Sequence, residues 1–272
     1  PRICLPYDDI TRSILLAHES GGHMGIDSTL NKLAQRFYFP SMTHHCKRVI
    51  QGCEACQRKS KSQHDQRHTY CHDLVGNPWD KISLDIVGPM KPDRFGNKYI
   101  LTVKCIFTRY LEAFLCKDIT SQTISKLLYD NIILRYGAVS QAHSDNGRQL
   151  CSQQMQELCH SLSIKKTTTP PYNAKSNSVE RAHSTLGNVL RATLLTSDQE
   201  WSDALPSAVS AINSSKNAAT GISPHFALYG REKVMPLDII YGTPDKSEKT
   251  LYRHLDHLTE TTRNTYKYMR EQ

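Results

Sequence analysis

No stretch of this sequence approaches the roughly 18–20 uninterrupted apolar residues that a membrane-spanning helix requires, which excludes a bundle of apolar spanning helices. A charged-then-apolar leader with a cleavage pattern is also missing, so no secretory signal is expected. The nine cysteines are an odd number and most are scattered among apolar residues, which argues against a disulfide framework and for a reducing compartment. Cys105, Cys116, Cys151 and Cys159 fall in expected strands or helices and read as buried thiols. Acidic excess is lacking too: the formal net charge is +8 and the isoelectric point is about 9.0, a balance that favours a polyanionic partner. What is present suits a folded chain with a modest core. The 272 residues are 38% hydrophobic with a mean hydropathy of −0.52, enough for one large domain or two unequal ones.

The first sixty or so residues predict three short helices, each opened by a candidate cap. Asp8 or Asp9 precedes Ile10, Ile14 and Ala17; Asp27 precedes Leu30, Leu33, Ala34 and Phe37; Ser41 precedes Met42, Val49 and Ile50. That apolar inventory is thin for a free-standing unit of this size, which normally needs a staple. A staple is visible. His18 and His23 are separated by four residues (HESGGH), Cys53 and Cys56 by two (CEAC), with 29 residues between the pairs. Two imidazoles and two thiolates suit one closed tetrahedral Zn²⁺ site. The competing readings are core histidines with an accidental or redox CxxC, and His44, His45 and Cys46 are rival ligands. A redox CxxC usually opens a helix after a strand, whereas this one closes a helical segment, so zinc is the stronger reading.

Residues 57–78 (QRKSKSQHDQRHTYCHDLVGNP) are polar, basic and poor in apolar side chains. They read as a solvated linker, one compatible with a phosphate backbone. From Trp79 the pattern becomes strand-like: Ile82, Leu84 and Ile86 alternate with Ser83 and Asp85 until Gly88 and Pro89 stop the run. Residues 97–116 predict two further strands joined by a turn near Phe107 to Arg109. A helix is expected over 121–136, a short strand within 138–147 with Asp145 at its carboxyl end, a helix over 149–162, a fifth strand over 164–169, and a helix from Val179. The expected class is therefore α/β, a mixed five-stranded sheet with flanking helices behind a small all-α module.

Three carboxylates stand out in that order: Asp85 on the first core strand, Asp145 just past the fourth, and Glu180 at a helix start. Each has a bland alternative. Asp85 could be an ion-pair partner, the Asp145-Asn146-Gly147 run is an ordinary turn, and an acid in a first helical turn complements the helix dipole. Together they read differently, because the first and fourth strands of such a sheet can lie side by side and a helix packed there can bring in the third acid. Three like charges repel unless divalent cations are present. Oxygen ligands suit Mg²⁺ or Mn²⁺, and two such ions about 4 Å apart support in-line phosphoryl displacement.

These segments resemble a retroelement integrase, most closely the gypsy class of LTR retrotransposons. HESGGHMGIDSTLNKLAQRFYFPSM with CEACQRKS is similar to that family's zinc-binding amino-terminal domain; PWDKISLDIVGPM, HSDNGRQL and SNSVERAHSTL are similar to its three catalytic segments, in order. EWSDALPSAVSAINSSKNAATGISPHFALYGREKVMPLD resembles the stretch after the core. The resemblance implies an RNase H-like catalytic core over 79–235, preceded by a zinc-binding helical domain over 1–57 and a linker over 58–78. A helical extension over 236–272 would follow, toward a β-barrel-like domain that the sequence does not reach. It also implies that Asp85, Asp145 and Glu180 form an acidic triad holding two Mg²⁺ or Mn²⁺ ions. The implied chemistry is 3′-end trimming of element DNA followed by its joining to target DNA. Double-stranded DNA, homo-oligomers of two or four chains, a host chromatin factor and a nuclear place of action are implied as well, with no membrane partner. Two other readings stay open: a domesticated or truncated derivative that binds DNA or protein without catalysis, and a nuclease or transposase of the same fold, which would leave the HESGGH…CEAC module unexplained.

The departures from the family lie in the loop before Glu180. Between Asp145 and Glu180 stand 34 residues, one fewer than in most retroviral relatives. Asn173-Ala174-Lys175 replaces a more usual His-Pro-Gln, and a glycine common near Ser178 is missing. Candidate nucleic-acid contacts are Tyr172, Asn173, Lys175, Asn177, Arg181, His183 and Arg191, with Lys165 and Lys166 as weaker ones; the competing reading for each is a solvated polar face, and for Tyr172 packing beneath the loop. Val179, Ala182, Leu186, Val189 and Leu190 form the apolar stripe of that helix. Ser197 and Glu200 form a capping-box pattern before a core-facing helix with Trp201, Leu205, Ala208, Val209 and Ile212. Leu251, Leu255, Leu258, Thr262, Tyr266 and Met269 predict a last helix.

Overall fold

The computed structural model describes residues 2–59, 76–145, 147–168, 178–195, 199–218, 220–242 and 251–271, with side chains at 58–59, 178–183, 251–258 and 270–271 outside the description. The chain forms two compact units, neither continuous in sequence: Pro1–Gln66, Leu186–Gln199 and Ser210–Gln272 make the first, Arg67–Thr185 and Glu200–Val209 the second.

The first unit opens with β1 (Ile3–Cys4), α1 (Tyr7–Ser20), α2 (Ile26–Arg36), β2 (Phe37–Tyr38), α3 (Met42–Gln51) and α4 (Glu54–Lys59). The short strands β1 and β2 pair in parallel, an element that two residues of pattern cannot announce. Helix starts differ from expectation. Pro6 and Gly25 occupy the caps of α1 and α2, so Asp8, Asp9 and Asp27 lie inside the first turns, where their charge still meets the dipole. Ser41 does cap α3, but in the left-handed region and without a side-chain bond. The apolar faces meet in one cluster of Leu5, Ile10, Ile14, Ala17, Leu33, Phe37, Phe39, Cys46, Ile50 and Leu237.

The second unit is built on a sheet in the order β5-β4-β3-β6-β7. Its strands are β3 (Lys81–Val87), β4 (Tyr99–Cys105), β5 (Leu111–Cys116), β6 (Gln141–Ser144) and β7 (Lys165–Thr168). The antiparallel β3–β4–β5 meander follows from short connections, while β6 and β7 add in parallel through helical crossovers. Ile82, Ser83 and Leu84 are all buried, so β3 is covered on both faces. Trp79 stacks on Tyr136 at 4.1 Å between ring centres. The helix expected over 121–136 is broken into α5 (Ser121–Leu128), a π-helical turn (Tyr129–Ile133) and α6 (Leu134–Tyr136). That over 149–162 is shorter: Ser152 caps α7 (Gln153–Ser161), its hydroxyl accepting the Met155 amide at 3.3 Å. Cys151 consequently sits in the preceding turn and is half-buried, unlike the buried Cys105, Cys116 and Cys159.

Two long helices follow, α8 (Ser178–Leu195) and α9 (Trp201–Asn213), then α10 (Pro224–Tyr229), α11 (Pro236–Tyr241) and α12 (Leu251–Glu271). Leu186, Val189 and Leu190 of α8 and Leu205 and Ala208 of α9 are buried as their stripes predict, while Val179 and Ala182 lie outside the described side chains. Ser197 is outside the described residues, and the carboxylate of Glu200 accepts the Arg94 amide at 3.1 Å. On α12, Thr265 and Met269 are buried.

One glycine decides how the first unit closes. Gly22 has φ +67°, and a Cβ there would lie 2.6 Å from Val189 Cγ1 and 2.8 Å from Ala211 Cβ. Both the backbone angle and the close approach demand glycine. Replacing Gly22 by Ala should therefore lower the melting temperature of the first unit by several degrees, an expected loss of about 2 kcal/mol or more. A thermal melt monitored by amide exchange in α1 and α8 checks this, and an unchanged melt would show that the contact yields freely.

Candidate metal centre and active site

α1 ends at Ser20, and the Gly21-Gly22 turn reverses the chain so that His23 faces back toward His18. Both histidines are buried, and their rings meet edge to face at 4.8 Å. Cys53 and Cys56 arrive from the turn after α3 and from α4. The four side chains each offer one ligand atom, all within 4.8 Å of one another. His18 Nε2 is 3.3 Å from His23 Nδ1, Cys53 Sγ is 3.4 Å from His23 Nδ1, and Cys56 Sγ is 3.2 Å from His18 Nε2. Zinc bonds of about 2.0 Å to nitrogen and 2.3 Å to sulfur place tetrahedral ligands roughly 3.3–3.8 Å apart. The three contacts at 3.2–3.4 Å lie close to that spacing, with Cys56 Sγ 4.0 Å from His23 Nδ1, and the N₂S₂ donor set suits Zn²⁺. The second ring nitrogen of His18 lies 3.4 Å from the Thr29 hydroxyl, the kind of outer contact that fixes a ligand's tautomer. The rival ligands separate cleanly: His44, His45 and Cys46 lie on α3, and Cys46 belongs to the apolar cluster, where burial pushes its thiol up to about 11.

The carboxylates occupy the second unit. β3 and β6 pair in parallel with Leu84 opposite Ser144, so Asp85, within β3, and Asp145, just past the end of β6, each follow that last pair on neighbouring strands, which run about 4.8 Å apart. Both acids are half-buried. The Ile86 amide donates to Asp85 Oδ1 at 2.7 Å, and the Thr102 hydroxyl donates to the Asp85 carbonyl at 3.1 Å. The Gly147 amide donates to Asp145 Oδ1 at 3.0 Å. A Cβ at position 147 would lie only 3.0 Å from that same oxygen, so the glycine clears room for the carboxylate. This acceptor-only oxygen set matches hard divalent cations. Glu180 stands in the first turn of α8, and its side chain lies outside the description.

Behind Asp145 lies an arrangement that sequence reasoning missed. Lys166, read there as a weak DNA contact, is half-buried on β7 and donates to the Ser144 hydroxyl. That hydroxyl in turn donates to the Asp145 carbonyl at 2.8 Å. Burial first, then neighbouring charge, shifts the Lys166 ammonium: desolvation lowers it, and Cys151, Cys159 and Asp145 oppose the fall. Only the pairing of Ala142 with Lys166 across β6 and β7 reveals this. Of the other expected DNA contacts, Lys165 and Arg191 are exposed, and Arg191 donates to Asn188 Oδ1 at 3.1 Å. Tyr172, Asn173, Lys175 and Asn177 lie outside the described residues, as do the side chains of Arg181 and His183.

A helical module with a His₂Cys₂ cluster, followed by a mixed five-stranded sheet carrying one acid within β3 and another just past the adjacent β6, defines the architecture of a two-domain integrase. Comparison with known proteins agrees: residues 6–62 match the integrase zinc binding domain and residues 77–174 the integrase core domain. The chain belongs to the integrase family, with gypsy-class retrotransposon integrases and Pol polyproteins as its relatives. It is 26% identical over 242 residues to the retrovirus-related Pol polyprotein from transposon 412 of Drosophila melanogaster, covering 86% of this chain and 20% of that one. It is 25% identical over 221 residues to Gypsy retrotransposon integrase-like protein 1 of Bos taurus, covering 80% and 44%. The chain thus spans a fifth to less than half the length of these relatives. A chain of the simian T-cell lymphotropic virus intasome, solved with the PP2A regulatory subunit B56 gamma, shares the fold with a TM-score of 0.57 at 20% identity over 88% of this chain and 78% of that one.

Proposed function

We propose that the chain integrates retroelement DNA: it trims the 3′ ends of the element's cDNA and joins them to target DNA at one site formed by Asp85, Asp145 and Glu180. The placement of Asp85 within β3 and of Asp145 just past the end of the paired parallel strand β6 carries this reading. When bound there, two Mg²⁺ or Mn²⁺ ions would supply activation of the attacking oxygen and stabilisation of the leaving one. The chain's own residues supply orientation. The amides of Ile86 and Gly147 each donate to one carboxylate oxygen and so orient the two acids. Thr102 fixes the Asp85 backbone, and the Lys166–Ser144 pair fixes that of Asp145. Preorganisation of this kind lets charge develop without rearrangement at the moment of reaction.

His18, His23, Cys53 and Cys56 hold one structural Zn²⁺ in this reading. Double-stranded DNA is the substrate, two or more chains act on the paired ends, and the reaction takes place in the nucleus; the intasome assembly of the structural neighbour is consistent with such oligomers. The similarity to an integrase-like protein in Bos taurus favours a second reading, a derivative that binds DNA or protein without catalysis. Strand transfer decides between them. The protein with a duplex matching the element terminus in Mg²⁺ or Mn²⁺ should yield joined products, and DNA binding without any cleavage or joining would establish the second reading.

A further inference from the structure

A cavity of about 410 Å³ lies within the first unit, bounded by α2, the turn after α9 and residues 221–235. Its volume falls at the small-ligand end of ordinary binding pockets, roughly 300–1,000 Å³. The charge on its walls is one-sided. Arg2, Lys32, Arg36, Lys216 and Lys233 line it, against the single carboxylate of Glu232. Arg36 already pairs with the buried Asp238, and Glu232 accepts the Ser223 hydroxyl at 2.7 Å. Ser28, Ser214 and Ser223 add hydroxyls to the lining, with Lys32 Nζ 3.3 Å from Ser214 Oγ, while Lys233 Nζ donates to Ser210 Oγ, outside the lining, at 2.6 Å.

Cations gathered in a partly buried cavity repel one another, and an anion relieves them all at once. Lys32 records that crowding. Burial first, then Arg36 and Lys233, bring its ammonium down to about 8, with Glu232 acting in the opposite sense. Ammonium, guanidinium and hydroxyl donors converging on one small space suit the oxygens of phosphate, which carries more charge than a carboxylate and accepts from several directions.

We propose that this cavity binds a phosphate group, borne either by a free phosphomonoester or by a nucleic-acid strand. The assignment stands on the first unit alone and does not depend on the carboxylates or on integration. In the sequence these residues are scattered over more than two hundred positions, so no motif announces the site.

The test titrates inorganic phosphate into the zinc-loaded full chain at low ionic strength, followed by calorimetry. Saturable binding at one site per chain is expected. Lys32→Met and, at an exposed position, Lys216→Glu should each weaken it by roughly tenfold or more, with zinc content and melting temperature retained. Absence of saturable binding, or equal affinity in Lys216→Glu and the unaltered chain, would overturn the proposal. A second arm compares labelled duplexes with and without a 5′-phosphate. Displacement of either duplex by inorganic phosphate assigns the ligand to nucleic acid, whereas phosphate binding without displacement assigns a free phosphomonoester. Affinity should hold up to about pH 8 and fall above it. There Lys32, faced by Arg36, Glu232, Lys233, Lys216 and Arg2, loses its proton in the free protein, and binding must recover it. Flat affinity to pH 10 would remove Lys32 from the site.

Discussion

Asp145→Asn and Glu180→Gln should each abolish strand transfer, lowering the rate by on the order of a thousandfold or more. The substitutions remove charge and leave shape. Asn keeps an oxygen able to accept the Gly147 amide at the place where Asp145 Oδ1 now does, at 3.0 Å, so the turn after β6 survives. Asp85→Asn is the matched variant on the neighbouring strand, since its amide oxygen can accept from Ile86 as Oδ1 does at 2.7 Å. What vanishes in each is the negative oxygen that a divalent cation needs. Joined products on a denaturing gel provide the readout, with melting temperature as the control for folding. If Asp145→Asn joined DNA as fast as the unaltered chain, the acidic triad would have to be abandoned.

Removing zinc has the second large effect, on structure. His18 and His23 are buried, and the apolar cluster beneath them is small. Structural zinc binding is worth about 10 kcal/mol or more in comparable small modules, more than such a core retains by itself. Chelation, or Cys53→Ser, should therefore open α1, α2 and α3 to amide exchange while β3 and β4 stay protected. Acidification should do the same, because protonated imidazoles and thiols are not ligands. Protein purified without stoichiometric metal, yet with slow exchange in α1, would show that the four side chains close the module unaided.

Much of this was legible in linear order because the chemistry is carried by residue type and spacing. HESGGH and CEAC each put two ligands within a few residues, so one turn suffices to aim a pair, and the two pairs then have a single geometry that satisfies both. The alternation from Ile82 to Ile86 set Asp85 on a strand, and the turn at Asp145 set the second acid at a strand end. Helix starts were less legible: Pro6 and Gly25 hold the cap positions expected for acidic residues, and neither start carries the side-chain cap hydrogen bond that a sequence pattern looks for. The break at Tyr129–Ile133 likewise leaves no mark in an apolar pattern that continues through it.

The sequence by itself determined the family resemblance, the order of the five core strands, the His₂Cys₂ candidate, and the places of Asp85 on one strand and Asp145 just past another. Local propensity and short spacings suffice for each. Tertiary structure alone decided three other things. It set β3 beside β6, which brings Asp85 level with Asp145. It turned Lys166 back onto Ser144 behind the second acid. It also gathered residues 210–242 with α1 to α3 in one unit, where Gly22 meets Val189 and Ala211 and five cations surround one cavity. Contacts between such distant positions depend on which faces pack together, and burial chooses those faces only once the whole chain has closed.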